Sequence, residues 1–133
     1  MRTRDLSNVD FAESDIGPLL AQLSSTEFDQ FCFGVIGFDV DERVQIYNVR
    51  EAEMAGLNKV AVIGGRMFEV VAPCMNNYLV ADKFKHARER SSALDVMLPY
   101  VLTLRMRPTP CRLRLLSVPE SALQFILISR ANQ

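Results

Sequence analysis

Apolar residues recur with a helical period near the N-terminus and with a strand period soon after it. Residues 15–23 place apolar side chains at helical spacing, which predicts a short amphipathic helix. Residues 31–39 alternate apolar and small side chains, the mostly acidic residues 39–42 turn the chain, and residues 44–48 continue as a second strand. We therefore expect one helix followed by a β-hairpin.

The pattern becomes irregular in the middle of the chain and regular again towards its end. Residues 50–67 contain three glycines among short apolar clusters, which predicts short helices and turns around a pocket. Residues 78–90 are typical of one longer amphipathic helix with a solvated charged face. Three apolar runs separated by proline-containing segments then predict antiparallel strands at residues 98–106, 111–118 and 123–129.

This order of elements predicts an α+β fold. Two strands, short helices, a longer helix and three more strands fit a five-stranded antiparallel sheet with helices on one face. The 133 residues suffice for one domain with a real core. We divide it into an N-terminal helical cap at residues 1–30 and a core at residues 31–133.

Composition favours a soluble globular protein without a membrane segment. Apolar residues make up 49% and charged residues 23% of the chain. No run approaches the roughly eighteen apolar residues of a membrane helix, and the N-terminus lacks the apolar region of a signal peptide. We expect a cytoplasmic protein.

The three cysteines fit neither a disulfide framework nor a zinc site. Their number is odd and their spacing is wide, at Cys32, Cys74 and Cys111. We expect reduced thiols, with Cys32 and Cys111 serving as packing residues on strands.

Charge is distributed unevenly although the net charge is only −1. The first thirty residues are acidic and residues 83–114 are basic, so the two segments are expected to contact each other. Strand alternation places four arginines on one face of the sheet: Arg105, Arg107, Arg112 and Arg114. We expect the N-terminal segment to cover this face, with its carboxylates near the arginine heads and Ile16, Leu19 and Leu20 against their stems. The acidic pI of about 5.8 and the few exposed-looking aromatic residues argue against nucleic-acid binding.

Three residues supply the candidate chemistry. Cys74 ends an apolar run, and Tyr47 and Glu51 precede it by some twenty residues. A thiol, a phenol and a carboxyl group are the parts needed to hold and tune a thiol-linked phenolic pigment. Each alone has an ordinary explanation, since a lone cysteine is usually a small buried hydrophobe and a lone glutamate faces solvent.

Four segments carry a resemblance to a known family. They are Tyr47-Asn48-x-x-Glu51, Val71-Ala72-Pro73-Cys74, Lys83-Phe84-Lys85 and Met106-x-Pro108-Thr109. Over residues 33–115 the chain resembles photoactive yellow protein, a family of bacterial blue-light-sensing PAS domains, whose order of elements matches the predicted one. The resemblance implies a PAS fold.

The resemblance also implies a cofactor, p-coumaric acid, bound to Cys74 as a thioester. Tyr47 and Glu51 would hydrogen-bond its phenolate, with Glu51 kept neutral by burial and by the neighbouring anion. Met106 would line the pocket, as would Met67 and Leu102. After photoisomerisation Glu51 would give its proton to the phenolate, and the remaining buried charge would unfold the region near the cap.

Three pocket positions depart from the family pattern. A supporting threonine is Ala55 here, a gating arginine is Leu57, and a lining tyrosine is Leu104, so the pocket becomes more apolar. These losses motivate an alternative hypothesis, a PAS-like ligand-binding or interaction module that carries no pigment.

We do not expect an enzyme. Cys74 lacks a base, since the only histidine, His86, is predicted on a charged helix surface, and no metal-ligand cluster exists. The expected partner is a downstream signalling protein rather than nucleic acid or membrane, with the chain as a monomer or weak homodimer.

Overall fold

Five antiparallel strands form one sheet in the computed structural model, which describes residues 5–103, 108–118 and 121–130. The strands are β1 Gly34–Phe38, β2 Val44–Tyr47, β3 Leu94–Leu102, β4 Thr109–Ser117 and β5 Gln124–Arg130. Their order across the sheet is β2-β1-β5-β4-β3. The last described strand therefore lies at the centre, and the predicted α+β architecture with a five-stranded antiparallel sheet is confirmed.

Four short α-helices accompany the sheet within the described ranges. They are α1 Ile16–Leu20, α2 Val49–Ala55, α3 Lys59–Val62 and α4 Ala81–Glu89. Single turns add 3₁₀ geometry at Leu6–Asn8, Glu27–Gln30 and Pro73–Met75, and a π-helical turn at Met67–Val71. None of the helices in the described segments is long and apolar enough to cross a membrane.

The boundaries of β3 and α4 differ from the predicted ones. β3 begins at Leu94, four residues before the predicted start at residue 98, and ends at Leu102. The outer face of β3 is exposed and includes Pro99. A proline argues against a strand in the sequence, but it is tolerated here because β3 is an edge strand. The predicted helix at residues 78–90 starts only at Ala81, because the Asn77 side chain accepts the backbone N–H groups of Leu79 and Val80 in a preceding turn.

Both faces of the sheet are buried at its centre, each against a different part of the chain. The face covered by α2, α3 and α4 presents Leu113, Leu115, Ile126 and Ile128 to one apolar cluster. The opposite face presents residues such as Leu127 to a second cluster. The described part of the N-terminal segment completes this second cluster with six buried side chains: Leu6, Val9, Phe11, Ile16, Leu20 and Phe28. Burial on both sides explains why β5 is an almost continuous apolar run.

Arg114 anchors the N-terminal segment to the sheet. Its side chain is 3% exposed and donates to the backbone carbonyls of Phe11 at 2.9 Å and Glu13 at 2.7 Å. It also donates to both carboxylate oxygens of Asp95 at 2.8 Å. The N-terminal segment thus lies on the arginine face as predicted, but the carboxylate that pairs with Arg114 comes from the neighbouring strand β3 and not from the cap.

Arg112, another of the arginines predicted on this face, also contacts the N-terminal segment. Arg112 lies over the Phe11 ring, 5.4 Å from its centroid, whereas Arg105 and Arg107 fall outside the described residues. Cys111 is buried on β4 as predicted. Cys32 is exposed on the loop before β1, so its predicted place as a strand packing residue is wrong.

Replacing Arg114 with Met should loosen the N-terminal segment. The change removes the charged hydrogen bonds to Asp95 and to two cap carbonyls, so we expect the free energy of unfolding to fall by about 2 to 3 kcal/mol. Denaturant unfolding and limited proteolysis within residues 5–20 measure the effect. The control Arg112→Met removes an exposed cation over Phe11 and should cost under about 1 kcal/mol. Equal losses in the two variants would contradict the anchoring role.

Candidate functional site

Asn48 sets the direction in which the site residues point. It lies between β2 and α2, is 1% exposed, and caps the helix by accepting the Glu51 N–H at 3.1 Å. Its side chain also accepts the Val35 N–H at 3.0 Å and donates to the carbonyls of Phe28 and Phe33 at 2.9 and 3.0 Å. This junction fixes Tyr47 at the end of the strand and Glu51 in the first turn of the helix, and both side chains are buried.

Glu51 forms a buried, two-pronged ion pair with Arg130. Its two carboxylate oxygens accept hydrogen bonds from the Arg130 guanidinium at 2.7 and 2.9 Å, and the side chains are 1% and 6% exposed. Burial raises the pKa of the Glu51 carboxyl, and the hydrogen bonds and charge of Arg130 oppose that rise. Both oxygens therefore accept from a cation, an arrangement that the expectation of a neutral, proton-donating Glu51 did not include.

Arg130 was missed by the sequence analysis. The predicted last strand ended at residue 129, whereas β5 continues to Arg130 and carries it into the interior. One feature of the sequence predicts such a residue: a glutamate that follows a strand and is expected to be buried requires a nearby cation or strong hydrogen-bond donors.

Gly34 makes room for the Glu51 carboxylate. It is the first residue of β1, and a Cβ built at this position would overlap the Glu51 Oε1 atom. A glycine is therefore needed here for close approach of a side chain, not for an unusual backbone conformation.

Tyr47 presents a phenol to the same region. Burial raises its pKa, the charge of Glu51 adds to the rise, and Arg130 counteracts it, so the phenol keeps its proton at neutral pH. Among the described residues, none forms a hydrogen bond with the Tyr47 hydroxyl. That hydroxyl is a donor available to a ligand.

Cys74 is held at its backbone by a clamp from β3. The thiol is half-buried in the Pro73–Met75 turn and packs against the apolar cluster on the helix side. Its carbonyl accepts hydrogen bonds from the Tyr100 hydroxyl at 2.5 Å and from the Asn77 amide at 3.2 Å, and that amide also donates to the Tyr100 oxygen at 2.7 Å. The cysteine turn is thereby fixed relative to the sheet.

Cys111 lies between the Glu51–Arg130 pair and the residues that hold Cys74. It pairs with Arg130 across β4 and β5 and with Tyr100 across β3 and β4. Burial raises the pKa of the Cys111 thiol to about 11, with smaller effects from Arg130, Glu51 and Cys74. These mutual effects place the thiol of Cys74 and the Glu51–Arg130 pair within electrostatic reach of the same residue.

The remaining predicted site positions are divided. Met67 and Leu102 are buried in the helix-side cluster, and Ala55 is buried at the end of α2. Leu57 is 37% exposed and lies at the surface. Leu104 and Met106 fall outside the described residues. The described segments contain no group of three or more His, Cys, Asp or Glu side chains that is placed to bind a metal ion.

Solved structures define the class of protein. The photoactive yellow protein domain of the sensor histidine kinase Ppr from Rhodospirillum centenum superposes with a TM-score of 0.74 and 25% identity, covering 81% of this chain and 94% of that one. The PAS domain of a HTR-like protein from Haloarcula marismortui has a TM-score of 0.55 and 15% identity, covering 80% and 91%. No protein-family model matches the chain. The fold is that of a PAS domain.

Relatives that align over nearly their whole length identify the family within that class. The photoactive yellow protein of Halochromatium salexigens is 30% identical over 122 residues, which cover 92% of this chain and 97% of the relative. That of Rhodothalassium salexigens is 25% identical over the same shares of both chains. The chain belongs to the photoactive yellow protein family.

Replacing Gly34 with Ala should disturb the ion pair. The added methyl group would overlap the Glu51 carboxylate, so either the Arg130 contact or β1 must shift, and we expect a loss of about 1 to 3 kcal/mol in the free energy of unfolding. The control is Gly17→Ala, where the new Cβ would meet only a Val118 methyl group, at 3.0 Å. Denaturant unfolding of both variants decides, and an unaffected Gly34→Ala protein would show that the carboxylate does not occupy this space.

Stability of the pigment-free protein should decline at alkaline pH because of Cys111. An unfolded cysteine loses its proton near pH 9.0, whereas folded Cys111 keeps it to about 11. The stabilisation is complete below pH 9 and is lost as the pH rises through this window, by up to about 2 to 3 kcal/mol. Urea unfolding of wild type and Cys111→Ala between pH 8 and 11 measures it. Tyr47 contributes above its ordinary value of 10.0 in both proteins, so parallel curves would contradict the assignment to Cys111.

Proposed function

We propose that this chain is a blue-light photoreceptor domain that carries p-coumaric acid as a thioester on Cys74. One observation carries the proposal: Tyr47 belongs to the apolar cluster on the helix side of the sheet, Cys74 packs against the same cluster, and the Glu51 carboxyl lies within electrostatic range of the Tyr47 phenol. Membership of the photoactive yellow protein family supports it. In this proposal the domain is a sensor and not an enzyme.

The residues present fit such a pigment. Cys74 is half-buried in a fixed turn, which suits an attached group that extends into the interior. The Tyr47 hydroxyl supplies a donor for a buried phenolate, whose loss of hydration would otherwise be costly. When bound, p-coumaric acid supplies the absorption of blue light and the isomerisation.

Hydrogen bonds offer a route from the site to the cap. Asn48 joins the Glu51 N–H to the carbonyl of Phe28, and Asp29 accepts the Val49 N–H at 2.7 Å at the start of α2. A change of charge at Glu51 would act on this junction, because burying an unpaired charge costs several kcal/mol. Local unfolding of the cap is the proposed output. A downstream signalling protein would read it in the cytoplasm, with the domain acting as a monomer or weak homodimer.

One observation favours the alternative of a PAS-like ligand-binding or interaction module without pigment. Both carboxylate oxygens of Glu51 are engaged by Arg130, and the neighbouring positions Ala55 and Leu57 bring no polar group to replace them. In that case the ion pair would serve only the packing of the domain.

Attachment of the pigment distinguishes the two functions. We expect the purified protein, incubated with the anhydride of p-coumaric acid, to gain one p-coumaroyl group and a visible absorption band that bleaches reversibly in blue light. Peptide mass mapping should place the group on Cys74. Cys74→Ala should gain neither the group nor the band, whereas Cys32→Ala should behave as wild type.

Cys32 makes this test strict. Its thiol is exposed, so indiscriminate acylation would modify it first. An adduct confined to Cys32, or a band in Cys74→Ala, would overturn the site. No adduct at all would favour the pigment-free module.

A further inference from the structure

We propose that Arg130 is the counterion of this site: it keeps Glu51 ionised in the pigment-free protein and supplies the buried positive charge that an anionic phenolate requires. The second half of this inference rests on the proposed photoreceptor function. The first half concerns only the chain itself.

Geometry supports the role of Arg130. The guanidinium is 6% exposed, is delivered by the central strand β5, and contacts both oxygens of Glu51 at 2.7 and 2.9 Å. Gly34 leaves the space that this arrangement needs. Within the described segments, the titratable groups that act electrostatically on Arg130 besides Glu51 are Tyr47 on β2 and Cys111 on β4, and Cys74 acts on Cys111. The phenol and the thiols carry no charge while they hold their protons, so Arg130 is the cation among these described groups.

Counting charges shows why Arg130 matters. Glu51 and Arg130 together are neutral. A buried phenolate would bring the total to −1, and a proton held at a carboxylate oxygen of Glu51 restores neutrality. Arg130 therefore balances a single negative charge, whichever oxygen carries it. Without Arg130 that charge would be buried alone, at a cost of several kcal/mol.

A purely structural ion pair makes different predictions. Buried ion pairs often contribute little net stability compared with apolar residues of the same shape. If Arg130 serves packing alone, its replacement should change stability without changing the protonation of Glu51 or the pH at which a pigment ionises. Protonation and colour are therefore the informative measurements.

The first experiment uses the pigment-free protein. Infrared difference spectra between each protein and the same protein with Glu51→Gln report whether Glu51 is a carboxylate or a carboxylic acid at pH 7. We expect a carboxylate in wild type and in Arg130→Lys, and a carboxylic acid in Arg130→Met. Arg88→Met is the matched control, because it removes an arginine paired with Glu42 at 3.3 Å elsewhere and should leave Glu51 ionised. Circular dichroism verifies that each variant is folded.

The outcome of this experiment is decisive for the chain. A protonated Glu51 in the wild type, or an ionised Glu51 in Arg130→Met, overturns the assignment. If Arg130→Met does not fold, Arg130→Lys and the wild type still decide it, since both must show a carboxylate.

The second experiment titrates the visible band after pigment attachment. We expect the pH at which the phenolate band reaches half its height to rise by about one to three units in Arg130→Met, and by less in Arg130→Lys. An unchanged midpoint in Arg130→Met overturns the role toward the pigment. Failure of the wild type to take up pigment overturns the proposed function and that role together, while the infrared result still decides whether Arg130 sets the charge of Glu51.

Discussion

The side chain of Asn48 is the interaction on which the site and its surroundings depend. Its amide group donates to the carbonyls of Phe28 and Phe33 and accepts from the N–H groups of Val35 and Glu51. Every polar atom of this side chain therefore has a partner, although the residue is only 1% exposed. These bonds join the cap, the segment leading into β1, and the first turn of α2. Any replacement would leave several buried backbone groups without partners, which is costly at each of them.

A second requirement follows from the position that this junction gives to Glu51. A buried carboxylate is tolerated only if a cation lies next to it and the packing leaves enough space for it. The cation is Arg130 at the end of β5, and the space is left by Gly34 at the start of β1. The two strands are direct neighbours in register, Gly34 opposite Ile128, so the sheet itself brings both conditions to the same place.

Local patterns in the sequence predicted the fold well, but they did not predict which charged residues pair in the site. Helical and strand periods gave the five strands, because alternation records which side of a strand is buried. The Glu51–Arg130 pair joins residues 79 positions apart, and such a pairing leaves no local pattern. The cysteine, the tyrosine and the glutamate were selected through motif resemblance, and the clamp of Tyr100 and Asn77 on Cys74 depends on the registration of β3, whose start was misplaced.

Two faces of one sheet separate the site from the cap, and this separation bears on which part would respond to a change at Glu51. The helix-side cluster contains Tyr47, while the cap belongs to the opposite cluster through Phe28. Asn48 bridges them with a hydrogen bond to the Phe28 carbonyl, the Val49 N–H adds a second bond to Asp29, and Arg114 holds the cap independently through Phe11 and Glu13. A destabilisation of several kcal/mol at the site is a large fraction of the free energy of unfolding of a whole domain, which is roughly 5–15 kcal/mol. Partial release of the cap costs less than unfolding the five-stranded sheet, because proteins open first in units with the lowest local stability. Because Asn48 links the segment around Phe28 to the first turn of α2, a change at Glu51 would act on that segment more directly than on the anchor at Arg114.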